Sequence, residues 1–497
     1  MEMKIRREQL CYERLAADVC RQIVIEGEAV LPGSMRDAVT VLSVQAQAHL
    51  TGVQAGTDRV AIRGRACFSV LYTQGDLTRI RVIETTCDFS HGIEVRGVTP
   101  GMRLEAAVCV RETNGVAGSG RLSLSAQLDI SVLAFEREER NAAADVQAEA
   151  GLCRKNQTLQ MSACRTLGEE KTLVREEFDL PERLAVQDVL TAMGTAVVRD
   201  ITGGNGHIGV SGTIEVRVWH RPEKNGDALV MTLHEAPFDV KIPAQTAEDM
   251  PLTARAQVID IMADSASIDR QRTMRVEAEV CVRLFGREEA EIDLLEDLYS
   301  TDGPLLEPQT EEIDVYTSRE CGSVRESVRL QATLPTDAPP IETVLWAAAN
   351  PLHVEHESAG RRLNTQGVMG LTLVYLPVDS DIPYAVRTRE PFSMTFPIEA
   401  GDGARVQMHV VECGIGPATS DRVELRCVLS ADVRAQEIRH LRIVTDIAQK
   451  QEEKHAHGFV LVWPAPGESR WDTARRLRVP QENLRAVGPN ALMAFRK

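Results

Sequence analysis

The stretch Gly64-RACFSVLY, residues 64–72, decides the fold, because the chain repeats it as Gly212-TIEVRVWH at 212–220 and as Gly367-VMGLTLVY at 367–375. Each copy starts with a glycine and continues through apolar residues of the types that are enriched in β-strands. Each also ends on a ring, eight residues past the glycine, at Tyr72, His220 and Tyr375. The pattern predicts the same strand, opened by the glycine, in three successive parts of the chain.

Further landmarks keep this spacing on both sides of the stretch. A leucine precedes the glycine by 22 residues in every copy, and a Leu-Pro pair lies nine or ten residues before that leucine. A phenylalanine flanked by polar residues, at a probable strand edge, follows the ring by 17 or 18 residues. The positions are Leu31-Pro32, Leu42 and Phe89; Leu180-Pro181, Leu190 and Phe238; Leu334-Pro335, Leu345 and Phe392. A repeat this long indicates three copies of one folding unit.

Each copy closes on a stretch in which apolar and polar residues alternate, the two-residue period of a half-buried strand. The apolar positions in the first copy are Leu122, Leu124, Ala126, Leu128, Ile130 and Val132. We therefore predict a mainly β protein built from three tandem all-β, β-sandwich-like repeats with strands of about five to ten residues. A unit of roughly 120 residues can bury its own core, so the copies are expected to be separate beads.

Charged and Ala-rich segments mark the predicted boundaries. An N-terminal extension and repeat 1 occupy 1–140, repeat 2 occupies 167–290 and repeat 3 occupies 318–447. Connectors are predicted at 141–166 and 291–317, and the charged segment 448–457 is predicted as a linker.

The last part, 458–497, is predicted to form a small βααβ domain. Phe459 to Trp463 has the composition of a strand, and Ser469 can cap a helix whose inner face is Trp471, Ala474 and Leu477. Val479-Pro480-Gln481 is predicted to open a second helix, and Leu492 to Phe495 a second strand. The arginines of this segment make it basic against an acidic body.

Composition disfavours several classes of function. The 497 residues carry 56 Lys and Arg against 73 Asp and Glu, and the net charge of −17 opposes general binding to nucleic acids. No apolar run is long enough for a transmembrane helix or a signal peptide, so a cytoplasmic protein is expected. The eleven cysteines include no CxxC pair and are expected to be reduced thiols.

Motifs that resemble catalytic or metal sites have simpler interpretations. Gly204, Gly206 and Gly209 spell GxGxxG, but a strand and not a helix follows, which favours a hairpin turn. His353, Glu355 and His356 lack the spacing of a helical HExxH site, and His455 and His457 fall in the predicted linker. We therefore expect no enzyme activity, no cofactor and no metal.

The first copy resembles the SPOCS domain of sporulation proteins from Gram-positive endospore formers. Pro32, Asp37, Val41, Leu42 and Val44 fit the entry motif of that domain, whereas Gly33, Met35 and Arg36 depart from it. The third copy keeps Pro339, Ile341, Val344 and Leu345, and the second keeps Leu180-Pro181 and Val189-Leu190. The resemblance covers residues 20–445.

The C-terminal segment resembles a LysM domain through Pro466-GESRWDTA, and its distal half departs from the pattern at Val487-Gly488. In LysM domains that bind glycans, the turn after the first strand and the loop before the last strand form an N-acetylglucosamine groove. The resemblance places partner or glycan binding at Gly467, Ser469, Arg470, Trp471, Arg475 and Arg476. For Trp471 the alternatives are a core position in the small domain and a platform for a sugar.

Three SPOCS-like copies and one LysM-like segment together resemble clostridial spore-coat assembly proteins that bind the coat morphogenetic ATPase. The resemblance implies a non-catalytic adaptor or scaffold in the mother-cell cytoplasm, at the forespore surface, whose LysM-like end contacts the ATPase. The alternative is a protein of the spore cortex or envelope that binds peptidoglycan.

Overall fold

The computed structural model describes residues 3–31, 39–75, 79–118, 120–148, 151–204, 206–223, 229–245, 250–265, 272–302, 304–401, 403–450, 458–488 and 491–496. Most of the SPOCS-like entry stretch after Leu31, and most of the predicted linker with its two histidines, lie outside these residues.

The described chain is mainly β, as the sequence predicts, and its first eighteen strands form three successive blocks with the same pairing. Block 1 contains β1 (Met3–Val30), β2 (Val39–Ala55), β3 (Arg59–Gln74), β4 (Arg81–Glu94), β5 (Arg103–Ala117) and β6 (Arg121–Ala148). Block 2 contains β7 (Leu152–Asp179), β8 (Val186–Gly204), β9 (His207–Pro222), β10 (Val230–Pro243), β11 (Leu252–Ser265) and β12 (Thr273–Ser300). Block 3 contains β13 (Leu305–Thr333), β14 (Ile341–Ala359), β15 (Arg362–Pro377), β16 (Tyr384–Phe396), β17 (Arg405–Ala418) and β18 (Arg422–Lys450).

Every block is a sandwich of two three-stranded antiparallel sheets. In block 1 the sheets have the orders β1-β6-β5 and β2-β3-β4, and blocks 2 and 3 repeat these orders with their own strands. The alternating apolar residues of β6 point between the sheets, where Leu122, Leu128 and Ile130 are fully buried. The strands run from 13 to 29 residues and are longer than predicted.

The repeated glycine and phenylalanine are cross-strand partners. Gly64 lies opposite Phe89, Gly212 opposite Phe238 and Gly367 opposite Phe392. A Cβ atom on Gly64 would lie 2.2 Å from the Phe89 ring, and one on Gly212 would lie 2.5 Å from the Phe238 ring. The glycine therefore lies inside its strand, and does not open it, because a ring from the neighbouring strand covers the space of its missing side chain.

The first and last strands of each block continue beyond the sandwich as a two-stranded ribbon. Three ribbon segments, which we call the stem, are 3–14 with 136–148, 152–166 with 285–300, and 305–320 with 434–450. Most of the segments predicted as connectors, 141–166 and 291–317, therefore belong to the long strands β6, β7, β12 and β13. The sequences of these segments contain many polar residues because a two-stranded ribbon buries only one of its faces.

The blocks do not form separate beads, because they share two hydrophobic clusters. In the stem, one cluster joins Leu10 of block 1, Met161 of block 2 and Val315 of block 3. At the opposite end of the molecule, the equivalent leucines Leu42, Leu190 and Leu345 meet in another cluster. The three blocks thus close around a common axis into one body.

A buried ionic cluster lies between these two ends. Glu105 of block 1 is paired with one arginine from each block: Arg103, Arg255 at 3.0 Å and Arg434. The three guanidinium groups hold the pKa of this carboxyl at about 2 against the opposing effect of burial. The contact links all three blocks through one side chain.

The C-terminal part, which we call the module, has a three-stranded sheet and one helix. Its elements are β19 (Gly458–Val462), α1 (Arg470–Leu477), β20 (Arg485–Gly488) and β21 (Ala491–Arg496), and the sheet order is β19-β21-β20. The predicted βααβ order is wrong in its second half. Gln481–Asn483 forms a single 3-10 turn, and residues 485–488 pair with β21 as an additional strand.

Candidate functional site

The site predicted from the sequence lies at the start of α1 in the module. Gly467 has φ of +83°, a left-handed conformation that glycine adopts without strain, and it turns the chain toward the helix. Ser469 caps the helix, and it exchanges hydrogen bonds with Asp472 in a capping box. The helix ends at Leu477, and its C-cap residue Arg478 has φ of +55°. These residues define a short, well-terminated helix.

One face of the helix is docked on the tip of the stem. Trp471 is only 9% exposed, and its indole Nε1 donates a hydrogen bond to Oδ2 of Asp297 on β12 at 2.7 Å. The Arg475 guanidinium donates to the same oxygen at 2.9 Å. A Trp platform for a sugar would need an open ring face, whereas this ring packs edge-on against Tyr299. The core position considered for Trp471 therefore describes its surroundings better, with part of that core supplied by β12.

Two backbone contacts complete this docking face. The Tyr299 hydroxyl donates to the carbonyl of Val479 at 2.8 Å, and the Arg478 Nε donates to the carbonyl of Ser300 at 3.0 Å. Tyr299 packs in one hydrophobic cluster with Trp471, Leu477 and Val479. The module and β12 are thus joined by apolar packing as well as by hydrogen bonds.

The remaining predicted residues do not converge with Trp471. Arg470 donates to the carbonyl of Leu484 inside the module, and Arg476 is paired with Glu468 at 2.9 Å. Gly467, Ser469, Arg470 and Arg476 are exposed, whereas Trp471 is buried. The structure therefore divides the six predicted residues into four exposed residues and the docked pair Trp471 and Arg475.

The opposite side of the module carries an open apolar surface that the sequence prediction missed. Phe459 and Leu461 of β19 lie opposite Phe495 and Met493 of β21, and cross-strand partners project from the same side of a sheet. The exposed fractions are 74% for Phe459, 50% for Leu461 and 48% for Phe495. Trp463, which is 62% exposed, continues the alternation of β19. We call Phe459, Leu461, Trp463, Met493 and Phe495 the apolar face.

The inner residues of the same strands explain this orientation. Val460, Val462, Leu492 and Ala494 alternate with the apolar face and pack toward α1. The sequence contains a signal for the apolar face. Every residue of 459–463 is apolar, a pattern typical of a strand that is covered on both sides. In the described residues only one side is covered.

Asp297 was also missed by the sequence prediction, although it belongs to a repeat. Asp145, Asp297 and Asp446 each follow a bulge in the last strand of their block, and each accepts a hydrogen bond from the next backbone N–H. Each is followed by an apolar residue, and the intervals are 152 and 149 residues, close to the period of the glycines. This spacing could have identified the three positions.

The described residues contain no cluster of three His, Cys, Asp or Glu side chains arranged to hold a metal ion. A cleft of about 750 Å³ lies between blocks 2 and 3. Arginines and glutamates line it, among them Arg287, Arg319 and Glu399, and its described lining has no histidine or cysteine.

Comparison with known proteins gives a match for part of the chain. None of the described helices is long and apolar enough to cross a membrane. No curated protein and no solved structure is significantly similar to the chain. Residues 37–114, which include β2, β3, β4 and most of β5, match the family described as "SipL, SPOCS domain". The similarity to the SPOCS domain thus covers a segment of block 1.

Proposed function

We propose that the chain is a non-catalytic adaptor in assembly of the endospore coat. In this proposal the module, which resembles a LysM domain, binds the spore-coat morphogenetic ATPase or another coat protein, and the three-block body supports encasement of the forespore. The protein would act in the mother-cell cytoplasm, at the forespore surface. The SPOCS match of residues 37–114 supports the link to sporulation.

The observation that carries the proposal is the apolar face of the module. Monomeric proteins rarely leave several large apolar side chains together in water, and such patches mark interaction sites. Three exposed aromatic rings and a leucine offer on the order of 400 Å², about half of what one partner contributes to an interface of ordinary size. Tyr and Trp lead the residues that anchor such interfaces, and here Trp463 lies at the end of the stripe.

The body supports this role by holding the module in a fixed orientation. Trp471, Arg475 and Tyr299 fasten α1 to the stem, so the apolar face points away from the docked side. A rigidly held interface loses less conformational freedom when it binds. Charge also favours binding of a partner by the module. Residues 458–497 carry seven basic and three acidic side chains, whereas the whole protein has a net charge of −17. An acidic partner surface would be attracted to this end.

Peptidoglycan binding is the alternative function. Gly467, Ser469 and Arg470 are exposed in the turn that would form part of a glycan groove. Trp471 is turned toward Asp297, however, and does not present its ring to that turn. The arrangement therefore favours a protein partner over a glycan.

Pull-down from sporulating cells tests the proposal. The chain with Phe459→Ser and Phe495→Ser should fail to recover the coat ATPase, because both rings leave the apolar face without disturbing the core. Val24→Ser with Met262→Ser is the matched control, since these exposed apolar residues lie on the body and are 64% and 61% exposed. Equal recovery by the wild-type chain and by a chain lacking 458–497 would refute the proposal. Isothermal titration with chitin or muropeptide oligomers tests the alternative of peptidoglycan binding, because that alternative predicts a measurable heat of binding.

A further inference from the structure

Two cysteines face each other inside block 3. Cys413 on β17 is the direct cross-strand partner of Cys427 on β18, and their Sγ atoms are 3.6 Å apart. We propose that Cys413 and Cys427 are a redox modification site that oxidation converts into a cross-strand disulfide. The inference does not depend on the proposed adaptor function.

The backbone geometry suits the bond. Directly opposed residues of antiparallel strands have Cα atoms about 4.5–5.5 Å apart, within the range that disulfides span. The sulfurs need to approach from 3.6 Å to about 2.05 Å, and rotation of the two side chains supplies a movement of this size. The strands do not have to move to accommodate the bond.

The other two blocks show that this position does not require sulfur. Each of β5, β11 and β17 has a bulge, after Val110, Val258 and Val410. Counting from the bulge, the pair equivalent to Cys413 and Cys427 is Thr113 with Ala126 in block 1 and Ile261 with Ala278 in block 2. A small or β-branched residue fills the same space in the core, so the paired thiols are particular to block 3.

The direct pairing of Cys413 with Cys427 also distinguishes them from the other cysteines in the described strands. In the registers of the described strands, no other cysteine lies opposite a second cysteine. Cys67 faces Gln47 and Thr86, for example, and Cys109 faces Asp129. Oxidation of the folded chain should therefore give one intramolecular disulfide.

The two thiols differ in access. Cys427 is fully buried, whereas Cys413 is partly exposed. A peroxide would meet Cys413 first: its thiolate attacks one peroxide oxygen, the O–O bond breaks, and a sulfenic acid forms as one water leaves. The sulfur of Cys427 then attacks the sulfenic sulfur, an S–S bond forms and a second water leaves, so that two thiols are oxidised and one peroxide is reduced.

The rate of this reaction should be low. The hydrogen bond with Cys427, together with burial, raises the pKa of the Cys413 thiol well above its ordinary value. The reactive species is the thiolate, so the pair is suited to slow oxidation and not to fast sensing of peroxide.

The bond would strengthen a contact between blocks. Val410, three residues before Cys413, accepts a hydrogen bond through its carbonyl from Arg217 of block 2. Tying β17 to β18 beside this point should suppress local opening of the edge strand β17. Oxidation would thus make the junction of blocks 2 and 3 more rigid.

Peptide mapping of the full chain tests the proposal. The reduced protein is treated with hydrogen peroxide, remaining thiols are alkylated, and disulfide-linked peptides are identified by mass spectrometry. A single link between Cys413 and Cys427 is expected, together with slower hydrogen exchange in β17. Cys109→Ser should retain both effects and serves as the matched control, since Cys109 lies on the equivalent strand of block 1.

Two results would overturn the inference. One is a preparation in which both thiols stay free while other cysteines of the chain are oxidised. The other is overoxidation of Cys413 to a sulfinic acid without any link to Cys427. Cys413→Ser is the negative control, because it cannot form the link, and peroxide should therefore not slow hydrogen exchange in its β17 strand.

Discussion

Replacing Asp297 with alanine should release the module from the stem. The carboxylate is 15% exposed and accepts hydrogen bonds from the Trp471 indole at 2.7 Å and from Arg475 at 2.9 Å. A hydrogen bond to a charged group contributes about 1.5–3 kcal/mol, and a buried donor left without a partner costs about 1–3 kcal/mol. The Arg475 side chain is 37% exposed, so its share is reduced by solvent screening.

Together these effects give a loss of roughly 3 kcal/mol of docking free energy, or about a hundredfold in the docking equilibrium. The module keeps its own core, which includes Ala474, Leu484 and Ala494, so the module itself should stay folded. Hydrogen exchange should therefore become faster in residues 297–300 and at the contact of 478–479, whereas the interior strand β21 keeps its protection.

Asp293→Ala is the matched control. Asp293 lies four residues before Asp297 on the same strand and accepts a hydrogen bond from Thr158, away from the module. Its substitution should leave exchange in residues 297–300 and 478–479 unchanged. Unaltered protection of both contact segments in the Asp297 variant would show that the carboxylate does not hold the module, and would refute the reasoning.

Three further changes probe the body. Glu105→Gln removes the charge that faces three arginines and should lower the free energy of unfolding by about 3–5 kcal/mol, measured by urea denaturation. Gly212→Ala should cost about 1–3 kcal/mol, because the new Cβ would lie 2.2 Å from the carbonyl oxygen of Val197. His220→Tyr should weaken the acid sensitivity of stability, since burial and nearby His234 lower the pKa of His220 to about 4. A folded pKa below the unfolded value of about 6.5 means that stability is complete above pH 6.5 and falls toward pH 4, by about 2 kcal/mol between pH 7.5 and pH 5.

Each of these changes has a control on the surface. Glu177→Gln breaks an exposed pair with Arg275 and should cost less than about 1 kcal/mol. Gly203→Ala meets no atom within 4 Å and should be neutral. Substituting the exposed His91 should leave the pH profile unchanged. An equal effect of any control and its partner variant would contradict the corresponding argument.

The repeat could be predicted from the sequence because its landmarks carry local constraints. Gly64 and Phe89 are 25 residues apart in the chain and directly opposed in the sheet, so each limits what the other can be. The same pair recurs as Gly212 with Phe238 and as Gly367 with Phe392. The spacing recurs in the three copies because a ring that covers a glycine leaves little room for a different residue on either strand.

The closure of the body could not be predicted in the same way. Leu42, Leu190 and Leu345 have the composition of core residues, and the sequence does not distinguish the core of one unit from a core shared by three. The composition of the ribbons is typical of connectors because their exposed faces carry salt bridges, such as Lys450 with Glu307. Charge indicates that a face meets water, but it does not show that the other face is buried.

The same symmetry explains why the module docks where it does. The three repeated aspartates at the bulges of the stem each accept one backbone hydrogen bond, and each carboxylate needs a further donor or a place in water. Asp145 binds Arg154 of block 2, and Asp446 binds Arg7 of block 1. Block 3 offers no arginine to Asp297, since Pro308 and Thr310 occupy the positions of β13 that correspond to Arg154 and Arg7. Trp471 and Arg475 of the module satisfy this third aspartate instead. The gap in the threefold pattern is therefore the docking site, and introducing an arginine at Pro308 should compete with the module for Asp297.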